Sequence, residues 1–258
     1  MGGILQGQVA VVTGASSGLG AHFARLLAAE GAAVALTARR LDLVEALAGE
    51  LAGQGHRAMA LRLDVADAKS IAPAFDEIEA ALGPISILIN NAGVGGDGMA
   101  LEMTVEHFDE TFDVNVRGVY FAAQAAAQRM LASGVADRGE GRIVNMASVA
   151  STTSLPGLAA YCGSKAAVTM MTRVMAREWA RRGIAVNALG PGYIRTALNA
   201  DWFDTEGGAA QVKRFPRRRL MAESDLDAAF MMLTGPAAAT ITGQLFIIDD
   251  GQSLPGGG

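Results

Sequence analysis

The chain alternates short apolar runs with amphipathic stretches. Residues 8–14, QVAVVTG, form a Val-rich run ending in glycine, the pattern of a strand buried on both faces. Residues 19–30 repeat apolar positions at helical spacing (Leu19, Phe23, Leu26, Leu27) and stop before Gly31. The same alternation continues. Residues 32–38 read as a strand and 41–51 as a helix with leucines at 41, 47 and 51. Residues 58–65 read as a third strand. Asp67 or Ser70 starts a third helix running to Leu82, in which Pro73 is tolerable only near the first turn. Residues 85–93 are strand four, 104–130 one long helix capped by Thr104, and 133–141 a polar loop. Strand five, 142–148, precedes a long Ala-rich helix after Pro156, and 184–192 is strand six. An irregular stretch, 195–219, leads to a helix at 223–233, a short last strand within 243–251 and a loose tail.

Seven alternations without a break in composition predict one α/β domain over residues 1–258. It is a single doubly wound, Rossmann-like parallel seven-stranded sheet with helices on both faces. Ligands bind such sheets beyond the C-terminal strand ends. The distinctive short motifs fall there: Gly14 to Gly20 after strand one, Asn90 to Gly93 after four, Ser148 after five, Pro191 and Gly192 after six.

Composition narrows the classes. Half of the 258 residues are hydrophobic, enough for a large core. A net charge of −5, from 26 acidic and 21 basic residues, argues against a nucleic-acid or anionic-membrane surface. The single Cys162 rules out an internal disulfide framework and suits a reducing compartment. The N-terminal residues do not read as a signal peptide, and no apolar run approaches the ~18 residues of a membrane span. The expectation is a soluble, cytoplasmic protein. His22, His56 and His107 are scattered without ligand spacing, so no metal is expected.

Three residues carry candidate chemistry. Tyr161 and Lys165 are four apart on the helix after Pro156, hence on one face. An ammonium near a phenol favours the phenolate and brings a pKa of about 10 toward the working pH. Ser148 ends strand five beside that helix, and its hydroxyl can donate to a carbonyl oxygen gaining charge. At the other end, TGASSGLG (Gly14, Ser16, Ser17, Gly18, Leu19, Gly20) is a glycine-rich strand-to-helix turn suited to a pyrophosphate at a helix N-terminus. Strand two ends in Arg39 and Arg40 where NAD binders usually place an acid. Guanidinium groups there suit a 2′-phosphate, so NADP(H) is expected over NAD(H), with NAD(H) possible; the alternative is a solvated helix face. Asp64, followed by Val65, either accepts from an adenine amino group or caps a helix.

Together these residues resemble the short-chain dehydrogenase/reductase family, in its single-domain branch, from Val9 to Gly251. TGxxxGxG matches Thr13 to Gly20, NNAG matches Asn90 to Gly93, and YxxxK matches Tyr161 and Lys165. Asn115, Ser148 and the Pro191–Gly192 pair complete the pattern. The resemblance implies that Tyr161 exchanges a proton with the substrate oxygen and Ser148 orients it. Lys165 would hold the nicotinamide ribose, and Asn115 a water leading from Lys165, unless it is simply a satisfied buried Asn. It implies an adenine pocket lined by Asn90, Asn91, Ala92 and Gly93, and carboxamide contacts from Ile194 and Thr196. It implies a lid at about 195–220 and a homo-oligomer, dimer or tetramer, packed through the Asn115 and Tyr161 helices. The one departure at the C-terminal end is DDG, at 249–251, where DGG is commoner.

Substrate contacts are expected from Ser148, Tyr161, Leu155 and the region of Gly95 to Met99. Trp202 and Phe203 either roof the substrate or anchor the lid or a subunit contact. Arg217 to Arg219 form a solvated or capping cluster that an anionic substrate tail could also meet. The expected function is an NADP(H)-dependent oxidoreductase interconverting a ketone and a secondary alcohol. A 3-ketoacyl-thioester reductase is the alternative, and a non-catalytic NADP(H)-binding sensor a more distant one.

Overall fold

β1 (Val9–Thr13) is apolar in four of five positions and buried in all five, so both of its faces need cover. It pairs in parallel with β2 (Ala33–Ala38) on one side and β4 (Ile87–Asn90) on the other, with Val11 opposite Ala35 and Leu88. The computed structural model describes residues 3–196 and 199–254. Within them β3 (Ala58–Arg62), β5 (Gly141–Met146), β6 (Ile184–Pro191) and β7 (Leu245–Ile248) complete a parallel seven-stranded sheet. Its order is β3-β2-β1-β4-β5-β6-β7. The winding reverses between β1 and β4, which opens a crevice at their C-terminal ends.

The strands are joined by α1 (Gly18–Ala29), α2 (Leu41–Gly53), α3 (Ala68–Leu82), α4 (Val105–Phe112), α5 (Val119–Ala132) and α6 (Ala159–Trp179). α7 (Ala200–Phe203) and α8 (Glu206–Arg214) follow β6, and α9 (Asp227–Thr234) precedes β7. Alternate residues of each strand feed opposite cores, as period-two geometry requires. Ala10, Val12, Val34 and Leu36 pack with Phe23, Leu27, Leu47 and Phe230. Val9, Val11, Ala33 and Ala35 pack with Ile71, Phe75, Ile78 and Met130 on the other face. Phe23 and Phe230 stack with centroids 4.0 Å apart and fasten α1 to α9.

The structure corrects the expected elements in four places. The long helix expected over 104–130 is interrupted: α4 and α5 are separated by a six-residue π-helical segment, Asp113–Gly118. The widened turn lets the buried Asn115 reach the chain after β4, and Gly118 lies too close to Val65 for a Cβ, which would come within 2.9 Å. β4 stops at Asn90 rather than 93, because the Asn91 side chain turns back to donate to the carbonyls of Thr13 and Gly14. α3 starts at Ala68, capped by Asp67, so Pro73 lies beyond the first turn, at an exposed position. The helix expected at 223–233 opens with a 3-10 turn, Glu223–Leu226, before α9. The tail positions 255–258 and lid positions 197 and 198 lie outside the described residues. Among the described residues no helix is long and apolar enough to cross a membrane.

Candidate active site

The turn after β1 forms a cradle. Gly14 has φ +67, and a Cβ there would come within 2.7 Å of the Ala92 backbone, so glycine is required for the two loops to touch. Gly18 begins α1 with φ +53 and opens on space: its nearest neighbour beyond a Cβ would be a Glu223 oxygen 3.9 Å away. The cap residue Ser17 makes no side-chain cap bond, so the first-turn N–H groups of α1 are left for a ligand. Leu19 and Gly20 continue that first turn. Thr13 ties the cradle to β4: its Oγ accepts from the backbone N–H of Asn91 (3.0 Å) and Ala92 (3.1 Å). Arg39 and Arg40 are both exposed, and Arg40 reaches back from the end of β2 to donate to Ser16 Oγ (2.8 Å) and Ser17 Oγ (3.1 Å). Asp64 Oδ1 accepts from the Ala66 N–H at 3.0 Å, a local turn bond; Val65 beneath it is buried. Open glycine space, unpaired N–H groups and a guanidinium beside two hydroxyls fit a phosphorylated dinucleotide.

The second cluster lies across the same sheet edge. Ser148, just past β5, accepts from the Ala150 N–H at 3.1 Å, and its hydroxyl lies near the Tyr161 phenol, whose pKa it pulls down. Lys165 is buried, with Nζ donating to the Met146 carbonyl at 2.9 Å and lying 5.6 Å from the Tyr161 ring centroid. Asn115 is fully buried and spans the loop after β4. Its Oδ1 accepts from the Val94 N–H (2.9 Å), while Nδ2 donates to the Val94 carbonyl (3.0 Å) and Ser164 Oγ (3.1 Å). Ser164 in turn donates to the Tyr161 carbonyl at 2.7 Å, so Asn115 braces the start of α6. Both Asn115 amide hydrogens are used, the satisfied buried asparagine that the sequence left open.

The electrostatics correct one expectation. Burial pushes the Tyr161 phenol up from its ordinary value, the Ser148 hydroxyl pulls it part-way back, and Cys162, Asp97 and Tyr193 push it further up. Lys165 does not lower it. Burial also takes the Lys165 ammonium down to about 8, which weakens the charge that was to favour the phenolate. No carboxylate pairs with Lys165 among the described residues.

Sequence comparison adds to this geometry. The family model described as short chain dehydrogenase matches residues 8–207. The chain belongs to the short chain dehydrogenase family. A D-threitol dehydrogenase of Mycolicibacterium smegmatis is 39% identical over 252 residues, covering 97% of this chain and 94% of its own. A gluconate 5-dehydrogenase of Gluconobacter oxydans is 35% identical, covering 97% and 96%. The crystal structure of a gluconate 5-dehydrogenase from Burkholderia cenocepacia J2315, in complex with NADP and tartrate, superposes with a TM-score of 0.91. It is 35% identical and covers 97% of both chains. The protein is thus an oxidoreductase of this family, whose relatives act on alcohols.

The remaining expected residues lie on the loops that follow β4, β5 and β6. The strip from Gly93 to Met99 is joined to the loop carrying half-buried Leu155: Gly98 N–H donates to the Gly157 carbonyl at 2.9 Å. Pro191 ends β6, and Gly192 donates to the Ile248 carbonyl. The Ile194 carbonyl accepts from Asn199 Nδ2 (2.9 Å), and the Thr196 N–H donates to Asn199 Oδ1 (2.8 Å). Phe203 is buried edge-on to Tyr193, the anchoring alternative. Trp202 is half exposed, with its indole N–H donating to Gln211 at 2.7 Å.

Sequence reasoning missed Thr13, Ser164 and Tyr193. Thr13 opens the TGxxxGxG motif and Ser164 lies within YxxxK, so both were legible as motif residues without an assigned role. Tyr193 directly follows Pro191–Gly192. It stacks on Phe215 (5.2 Å), and its phenol is pushed up by burial against a hydrogen bond with Gln211.

Proposed function

We propose that this dehydrogenase interconverts a secondary alcohol and a ketone with NADP(H), on a small polyol or polyhydroxy acid. The observation that carries the reading is the Tyr161 phenol beside Ser148, with the buried Lys165 ammonium 5.6 Å from its ring centroid, on the sheet edge that holds the Gly14–Gly20 cradle. The nicotinamide dinucleotide, when bound, supplies or accepts the hydride. The first-turn N–H groups of α1 would hold its pyrophosphate and Arg40 its 2′-phosphate. Lys165 Nζ keeps N–H bonds beyond the one to Met146 for its ribose.

Tyr161 gives its proton to the substrate oxygen in reduction and recovers it in oxidation. Ser148 Oγ already accepts from Ala150, so its one hydroxyl proton, which faces the Tyr161 phenol, would turn to that oxygen when substrate binds. Polyhydroxy substrates are supported by the names of the relatives, and Asp97 and Tyr193 are near enough to Tyr161 to push its pKa up.

The test is a nicotinamide-absorbance assay over a panel: tetritols and aldonic acids, simple secondary alcohols, and a 3-ketoacyl thioester. Polyols are expected to lead, with NADP⁺ favoured over NAD⁺ at least about tenfold in kcat/KM, the scale of a charge-assisted hydrogen bond. Thioester turnover ahead of all polyols would favour the ketoacyl alternative, and preference for NAD⁺ would reject the role of Arg40.

We also infer a homo-oligomer. α5 exposes Tyr120 and Phe121, and α6 exposes Met170 (57%) and Val174 (48%), apolar area that a second copy would cover. Sedimentation velocity at micromolar protein should give two or four times the chain mass; a monomer would overturn it.

A further inference from the structure

We propose that Asp250 is a positioning residue for the lid, clamping the segment that returns from it so that Tyr193 stays against the Tyr161 end of the site. Asp250 is the position at which DDG departs from the family's DGG. Its backbone is left-handed, φ +56, a conformation that glycine adopts freely and a residue with a Cβ does not. An aspartate in such a place needs a compensating use of its side chain. The side chain is 10% exposed and takes two guanidinium groups: Oδ1 faces Arg217 Nε and Oδ2 faces Arg219 Nε, each at 3.0 Å. Arg219 also pairs with Asp225 at 2.9 Å, so the arginine run expected as a possible anion site is occupied by the chain's own carboxylates.

The clamp acts at both ends of the lid. Two residues on, Gln252 Oε1 accepts from the Tyr193 N–H at 2.6 Å and Nε2 donates to the Arg219 carbonyl at 3.2 Å. The Tyr193 carbonyl accepts from Met221 at 2.9 Å, and Phe215, two residues before Arg217, stacks on the Tyr193 ring. The loop after β7 therefore joins the residue entering the lid to those leaving it. A bidentate carboxylate between two arginines fixes the return strand more firmly than the bare glycine of DGG does.

The decisive variant is Asp250→Gly, which suits the left-handed backbone and so folds, while releasing both arginines. Two readouts are used. Tryptic cleavage after Lys213 and Arg214 requires no substrate; the kinetic one, KM for the best polyol of the panel, rests on the proposed function. Cleavage is expected to quicken about tenfold, and KM to rise about fivefold with kcat little changed, the scale of losing a partly buried ion-pair network. Arg217→Ala combined with Arg219→Ala should reproduce both effects, and adding Asp250→Gly to that pair should change neither further. Unchanged cleavage in Asp250→Gly, or additive effects in the triple variant, would overturn the proposal. If cleavage quickens but no polyol is turned over, the clamp stands and the proposed substrate class fails.

Discussion

Tyr161→Phe is expected to lower turnover at least about a thousandfold, the upper range for loss of a positioned proton donor, with NADPH binding nearly unchanged. The phenol is the group beside Ser148, and phenylalanine keeps the ring beneath Lys165 while deleting only the proton carrier. The parent's pH profile has a sign that follows from burial. With its pKa pushed above the ordinary 10, the phenol is neutral at pH 7 and ready to donate. Reduction is therefore favoured near neutrality and declines at high pH, while alcohol oxidation, which needs the phenolate, increases as pH climbs from 7. Steady-state rates in both directions, with NADPH binding by fluorescence titration, check this. Turnover by the phenylalanine variant within tenfold of the parent would remove Tyr161 from the chemistry.

Lys165→Met is expected to be both nearly inactive and more stable than the parent at pH 7. The ammonium is buried without a carboxylate, and its pKa falls to about 8 from an ordinary value near 10.5. Holding that charge in the folded chain at pH 7 costs about 3 kcal/mol by linkage. Methionine has a similar shape and no charge, and forgoes one charge-assisted hydrogen bond to Met146, worth about 2 kcal/mol. A net gain of roughly 1 kcal/mol should raise Tm by about 3 °C in a chain of this size. The pH dependence identifies the cause. Between about pH 8 and 10.5 the folded parent has shed the proton that the unfolded chain still binds. Parent stability thus improves with pH across that window, and the advantage of the variant shrinks. Calorimetry on the cofactor-free proteins at pH 7 and pH 10 measures it. A variant less stable than the parent at pH 7 would show that Lys165 supports the fold rather than burdening it. The expected gain would instead mark Lys165 as stability given up for work in the proposed site.

Strand and helix positions were legible because each element carries its own period. β1 and β2 are buried along their whole length and apolar in all but one position each, since helices cover both faces. The residues of the cradle and of the Ser148, Tyr161 and Lys165 group were legible too, because each sits at the end of a strand or on the first turns of the helix beyond it. The π-helical segment around Asn115 was not. A helical apolar pattern does not register one inserted residue, and what stabilises the insertion is the Val94 backbone, 21 positions away. The basicity of the Tyr161 and Lys165 pair was misjudged for a related reason. Spacing of four residues brought the ammonium and phenol together, but their proton affinities follow the depth of burial, which depends on β5, the π-helical segment around Asn115 and the loop after β4 closing over them.

By itself, then, the amino-acid order determined the parallel sheet, the reaction edge and the identity of the groups there, all of which depend on neighbours within a few positions. Only the tertiary structure decided which arginine faces the cradle, how the buried lysine and tyrosine titrate, and why an aspartate occupies a left-handed turn after β7. Those properties arise from contacts between segments 24 to 59 residues apart and from exclusion of water, and neither is written in any local pattern.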